Sequence, residues 1–265
     1  MSERPVTIVN LLSGPRNVST ALMYSFAQRS DAAVVDEPLY GHYLRLTHAP
    51  QPHWEEMLEI LETDGEKVVR EVILRPPPGK SVWFIKNMAH HLIDLDFAWL
   101  SDPRVVNVFL IRDPVQMLPS LVNQISEPTM RDAAYESQAR WFRELDEAGL
   151  RPQVLDSREL LLDPPGILSE LCRRIGIPFD PSMLRWEPGA RPEDGPWAKY
   201  WYHNLHRSSG FTPFVEKSEP FPDRLRPLLE ESLPHYDYLC RHAIRQGRVS
   251  DLTGSDRSAA VQVGD

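Results

Sequence analysis

The chain has 265 residues, 42% hydrophobic and 25% charged, a balance that allows a large core and argues against disorder across the whole chain. Its formal net charge of -9 argues against broad attraction to nucleic acid, anionic lipid or other polyanions, so an anionic ligand must be held by a local site. Cys172 and Cys240 stand in no metal or redox spacing, no apolar run reaches membrane-span length, and MSERPV opens no secretory leader; the expectation is a cytoplasmic protein with reduced thiols and no membrane partner.

The first unit, residues 6–29, organises the rest. Val6, Ile8, Val9, Leu11 and Leu12 form an apolar run that suits a strand buried on both faces, and Ser13-Gly14-Pro15 ends it in a turn. Asn17-Val18-Ser19-Thr20 follows, then Leu22, Met23 and Phe26 at helix-compatible spacing. A strand, a short turn and a helix leave backbone N–H groups free at a helix N-terminus, where the dipole also favours an anion. Arg16 adds a planar fork of donors to that turn. The same residues also suit a capped helix after a buried strand, with no ligand.

Residues 32–35 are a second strand, ending at Asp36-Glu37-Pro38. Residues 40–52 contain His42 and His48 without apolar periodicity and read as a loop or irregular cap; with His53 they make no metal spacing. Residues 54–62 space their apolar side chains as a short helix, and 67–74 fit helix or strand equally. Residues 81–86 are a third strand, 92–100 a helix and 105–111 a fourth strand, after which Asp113 caps a helix that starts at Pro114 and runs to about Gln124. Residues 130–148 read as one amphipathic helix and 153–156 as a fifth strand; helices follow at 157–162 and 165–175, with Gly176 at the C-cap. Residues 178–196 are a Pro-rich connection, 197–206 are helical and pack in the core or a lid, and 221–245 are helical with interruptions at Pro227 and Pro234. Residues 247–265 are expected to be a disordered tail, which leaves 1–246 as one domain.

Strands alternating with helices predict a three-layer α/β domain: a mostly parallel sheet of about five strands with helices on both faces. Arg16, Glu37, Lys86 and Arg112 then each follow a strand, at the sheet edge where open α/β domains bind ligands.

The turn after the first strand departs from GxxxxGK[ST]. Counting from Gly14, the Gly and Lys positions hold Ser19 and Thr20, followed by Ala21, which disfavours a nucleotide hydrolase that needs the loop Lys and a Mg²⁺-bound hydroxyl. In the second motif Arg112 ends a strand and Ser120 lies eight residues on, two turns into the next helix, so both can donate to one oxyanion.

Together the motifs resemble those of the P-loop sulfotransferases. Pro15-Arg16-Asn17-Val18-Ser19-Thr20 is similar to their 5′-phosphosulfate loop, with Val18 where the family usually places glycine. Arg112 and Ser120 are similar to their 3′-phosphate motif, in the same order and at the same separation. Membership implies a P-loop-type fold, 3′-phosphoadenosine 5′-phosphosulfate (PAPS) as donor, no metal, and sulfuryl transfer to a hydroxyl or amine; the acidic net charge argues against a polyanionic glycan, so the acceptor is expected to be a small molecule. Membership also implies cofactor binding by Arg16, Asn17, Val18, Ser19, Thr20, Arg112 and Ser120, and by Ser209 and Gly210 in a segment, 207–217, that echoes the family's C-terminal glycine-rich stretch. Lys86 is placed as a family lysine that reaches the bridging oxygen, beside Arg16. For the base the resemblance offers Glu37, as in some bacterial members, or His90 and His91; cytosolic members carry a His two residues after the Lys, where this chain has Met88. The choice stays open, as do two alternatives: a P-loop phosphotransferase or nucleotide hydrolase, and a nucleotide-binding module without turnover.

Overall fold

The structure is a computed structural model that describes residues 6–49, 51, 53–216 and 219–245. Strands β1 (Thr7–Ser13), β2 (Ala32–Asp36), β3 (Val82–Met88), β4 (Val105–Ile111) and β5 (Gln153–Asp156) form one sheet in the order β2-β3-β1-β4-β5. Every pairing is parallel. The chain lays β2 and β3 on one side of β1 and β4 and β5 on the other, so the order reverses about β1 and opens a crevice at its C-terminal end.

The near-continuous apolar character of β1 has its cause in the layers on both sides. Val9 and Leu11 face helix α1 (Ser19–Ala27) and the helix Pro164–Arg174, through Leu22, Phe26, Leu168 and Leu171. Ile8 and Leu12 face the other way, toward the helices Tyr135–Glu147 and Arg226–Cys240 through Phe142, Leu145 and Leu239. A polar seam crosses this apolar sheet: Asn87 Nδ2 donates to Asn10 Oδ1 at 2.9 Å, and Asn10 Nδ2 donates to Asn107 Oδ1 at 2.8 Å. Partnered in this way, three buried amides tie β3, β1 and β4 together.

Residues 40–52, expected as a loop, contain a helix, Tyr40–Thr47. Its residues Tyr40 to Leu44 are buried, and Tyr40, Tyr43 and Leu44, on one face, pack in a cluster with Met57, Trp197 and Tyr202. Gly41 is required there, because a Cβ would lie 2.5 Å from the carbonyl oxygen of Glu62. His42 is buried in this helix, its Nε2 2.7 Å from the Ile93 carbonyl.

The helix expected over 92–100 is absent. Short 3₁₀ turns, Ala89–His91 and Phe97–Ser101, flank Asp94, whose φ of 48° breaks the path between them. The helix expected over 130–148 is two, Met130–Ala133 and Tyr135–Glu147, divided at Ala134 with φ 64°. The break sits against the first turn: a Cβ on Gly14 would lie 3.2 Å from the Ala133 carbonyl. The segment 67–74 resolves into the short helix Gly65–Val68 and a π-helical turn, Val69–Ile73, and the helical expectation for 197–206 reduces to Ala198–Trp201 and a 3₁₀ turn, Leu205–Arg207.

Cys172 and Cys240 are free thiols. Among the described residues no helix is long and apolar enough to cross a membrane. The expected tail, 247–265, and the domain limit at 246 lie outside the described residues.

Candidate active site

A cavity of about 370 Å³ opens at the C-terminal edge of the sheet. Its floor is the turn between β1 and α1, whose geometry is demanding. Arg16 and Val18 both have positive φ, 57° and 61°, and Val18 is the N-cap of α1. A β-branched residue in that conformation is strained, and a glycine would adopt it freely. The turn is anchored from below: Asn17 Nδ2 donates to the Leu110 carbonyl at 2.9 Å, and Gln138 Nε2 donates to the carbonyls of Leu12 and Leu110.

The two sequence motifs meet in space. Arg16 Nε donates to Ser120 Oγ at 3.0 Å, and Arg112 Nη1 donates to the Arg16 carbonyl at 2.8 Å. Asp113 caps the helix Pro114–Leu121 by accepting from the Val115 N–H at 2.8 Å, which holds Ser120 two turns along it. Tyr135, set by the break at Ala134, donates its hydroxyl to the Arg112 carbonyl at 2.7 Å. Among the described residues neither Arg16 nor Arg112 forms an ion pair. Two guanidiniums side by side, with no ion pair among the described residues and next to a helix N-terminus, have the chemistry that suits an anion.

Glu37 and Lys86 form the opposite wall. Because β3 continues to Met88, Lys86 lies inside the strand and is buried. Its Nζ donates to Asp36 Oδ1 at 2.7 Å, Glu37 Oε1 at 2.6 Å and the Tyr202 hydroxyl at 2.9 Å, so all three ammonium protons are engaged. Tyr202 in turn donates to Asp36 Oδ2 at 2.7 Å. Burial opposes the charge on Lys86, but Asp36 and Glu37 outweigh it and hold the ammonium well above its ordinary pKa. Burial raises the Glu37 carboxyl, and Lys86 opposes that rise.

His90 and His91 also line the cavity, on the 3₁₀ turn that follows β3. Burial lowers His90 to about 4 and His91 well below its ordinary value, so both are neutral near pH 7. Gly210 lines the cavity, and its residue forms a bridge with Arg185. Ser209 is exposed outside the lining, its carbonyl accepting from the Trp186 N–H at 3.2 Å. Lys217 lies outside the described residues.

The structure adds residues that no local motif marks. Asp36 completes the Lys86 cluster; the only sequence signal for it was a second carboxylate at the end of β2. Tyr202 and Trp197 arrive from a segment read as core or lid, and Trp197 Nε1 donates to the Tyr202 hydroxyl at 3.2 Å. Tyr40 and Tyr43 come from the helix that periodicity concealed, and Asp132 from the first half of the broken helix.

The sulfotransferase domain family matches residues 7–243, from β1 past the end of the last helix. The chain belongs to the sulfotransferase domain family. The sulfotransferase domain from the curacin biosynthetic pathway superposes with a TM-score of 0.53, covering 88% of this chain and 99% of that one at 15% identity, which shows a shared fold. In sequence the domain is 39% identical over 237 residues to branched-chain-amino-acid aminotransferase-like protein 2 of Arabidopsis thaliana, and 38% identical over 235 residues to protein 1 of that name. It covers 89% of this chain and 42% of each relative, so the chain spans less than half the length of the curated relatives it matches. Membership of this family supports transferase activity of the sulfotransfer type.

Proposed function

We propose that this domain transfers a sulfuryl group from PAPS to a hydroxyl or amine of a small-molecule acceptor in the cytoplasm, with no nucleic-acid or membrane partner. The observation that carries the reading is the junction of Arg16 with Ser120 and Arg112, which gathers the donors of both anion motifs at one floor. The residues fit the donor: unpaired guanidiniums and a helix N-terminus suit a ligand with two separated anionic groups. When bound, PAPS supplies the sulfuryl group and a phosphate leaving group.

Arg112 and Ser120 are assigned to the 3′-phosphate, and Arg16, Ser19, Thr20 and the N–H groups of the turn to the phosphosulfate. Donors fixed where negative charge grows are worth several kcal/mol in a transition state. Glu37 is favoured over His90 as the base, because a base strengthens with the pKa of its conjugate acid: burial raises Glu37 and lowers His90 to about 4. Glu37 accepts the acceptor's proton as the acceptor atom forms its bond to sulfur. The bond from sulfur to the leaving phosphate breaks with its electron pair on that phosphate, whose charge Arg16 balances. Lys86, with every proton engaged, is assigned to orienting Glu37 rather than to the bridging oxygen.

Adenosine 3′,5′-bisphosphate at 100-fold over its Kd is expected to stabilise the fold by about 2.7 kcal/mol, read as a shift of several degrees in Tm. ADP and 5′-AMP are expected to do much less, and Arg112→Ala to remove the difference. Equal shifts with all three nucleotides, or a shift that requires Mg²⁺, overturn the donor assignment in favour of a phosphotransferase. Bisphosphate binding without transfer of labelled sulfate to any acceptor favours a module that binds and does not turn over.

A further inference from the structure

The residues lining the cavity fall into two electrostatic groups. One is cationic: Arg16 and Arg112 on the floor. The other, on the acceptor side, is anionic and aromatic. There two carboxylates, Asp36 and Glu37, meet the single cation Lys86, and Asp132 brings a third carboxylate to the cavity. Asp132 uses only Oδ2 in its local cap, accepting from the N–H and hydroxyl of Thr129; among the described residues Oδ1 has no hydrogen bond and no cation pairs with it. Its neighbour Arg131 is exposed and does not line the cavity.

Aromatic rings line the same cavity. The Tyr43 ring is 5.1 Å from His90 and 4.7 Å from His91, and Tyr40 is 5.2 Å from His91 and 5.1 Å from Trp197. Tyr43 is 1% exposed, yet its hydroxyl has no hydrogen-bond partner among the described residues, and the buried Nδ1 of His91 has none either. Both histidines are neutral, so they add no positive charge to this wall. Aromatic faces with carboxylates behind them are the chemistry that holds an ammonium group.

We infer that the acceptor is a hydroxyl compound carrying a positively charged amine, with the cation held between Asp132 and the tyrosine and tryptophan faces and the hydroxyl presented to Glu37. The inference rests on the sulfuryl-transfer reading above and names its acceptor class.

The test uses isosteric pairs that differ in charge: choline against 3,3-dimethylbutan-1-ol, and tyramine against 4-propylphenol. Each is titrated calorimetrically into the protein saturated with adenosine 3′,5′-bisphosphate. In at least one pair the cation is expected to bind tenfold or more tightly than its neutral partner. Asp132→Asn, which keeps an acceptor for the Thr129 cap, is expected to bring that ratio below threefold without changing bisphosphate affinity. Neutral members binding as tightly in both pairs, no binding of either cation at millimolar concentration, or a ratio unchanged in Asp132→Asn overturns the inference. Bisphosphate titrated alone keeps the two readings apart: its failure to bind sinks the donor assignment, whereas bisphosphate binding without a cation preference sinks only the acceptor class.

Discussion

Arg16 donates from Nε to Ser120 Oγ at 3.0 Å, joining residues 104 apart in sequence. Arg16 belongs to the turn after β1 and Ser120 to the helix after β4, and β1 and β4 are direct neighbours in the sheet. The contact therefore follows from the strand order, and it brings two locally unremarkable motifs together on one cavity floor.

Ser120→Ala should lower affinity for adenosine 3′,5′-bisphosphate ten- to a hundredfold, since a hydrogen bond to a charged group is worth about 1.5–3 kcal/mol. The fold should be barely affected, because the Arg16–Ser120 contact is exposed. Calorimetric titration with a parallel melting curve checks both; a loss below threefold would mean that Ser120 does not face the ligand.

Lys86→Met leaves Asp36 and Glu37 facing each other in the interior without their cation. Removing one partner of a buried charge cluster costs about 3–5 kcal/mol, to be read by urea denaturation. Adding Asp36→Asn should recover part of that loss by removing one of the stranded charges. A single-variant cost below about 1 kcal/mol would contradict the buried ion cluster.

His90 sets a pH dependence whose sign is determined. Its folded pKa, about 4, lies below the ordinary 6.5, so its contribution to stability is full above 6.5 and is lost as pH falls toward 4. The full span is on the order of 3 kcal/mol. Urea denaturation of wild type and His90→Asn between pH 7.5 and 4.5 should show the gap between them closing across that window. A constant gap would mean that His90 titrates normally in the folded state.

Val18→Gly should cost less than a typical large-to-small change in a packed region. Valine at φ 61° carries about 1–3 kcal/mol of backbone strain that glycine relieves, against the lost packing of a partly buried side chain and roughly 1 kcal/mol of added chain entropy. The expected net change lies within about 1 kcal/mol, whereas cutting an unstrained buried aliphatic side chain down to alanine already costs about 2–5. Denaturant midpoints decide it, and a loss above 2 kcal/mol would show that packing, not strain, governs the turn.

Much of this protein was legible locally. All five strands were placed within a few residues, because four are mostly apolar runs bounded by Gly, Pro or charged residues and the short β5 lies between Pro152 and the helix that Asp156 caps. The Asp113 cap, Pro114 as the first helical residue and the two anion motifs depend only on neighbours in sequence. The legible part ended where an element is short or where a distant contact redirects the chain. The helix Tyr40–Thr47 has only eight residues, so its apolar face of Tyr40, Tyr43 and Leu44 does not stand out from the Gly and His between them, and the break at Ala134 lies against the turn at Gly14.

The amino-acid sequence by itself determined the parallel α/β plan and the two motifs, around Arg16 and around Arg112 and Ser120, that meet in space, since periodicity, turn chemistry and caps act over a few positions. Only the tertiary structure decided what Lys86 touches and which side chains line the rest of the cavity. The charge state and reach of Lys86 depend on Asp36, Glu37 and Tyr202 meeting it in a desolvated interior. The aromatic wall is likewise assembled from segments far apart in sequence. Those properties belong to contacts and to the exclusion of water, which no single stretch of chain encodes.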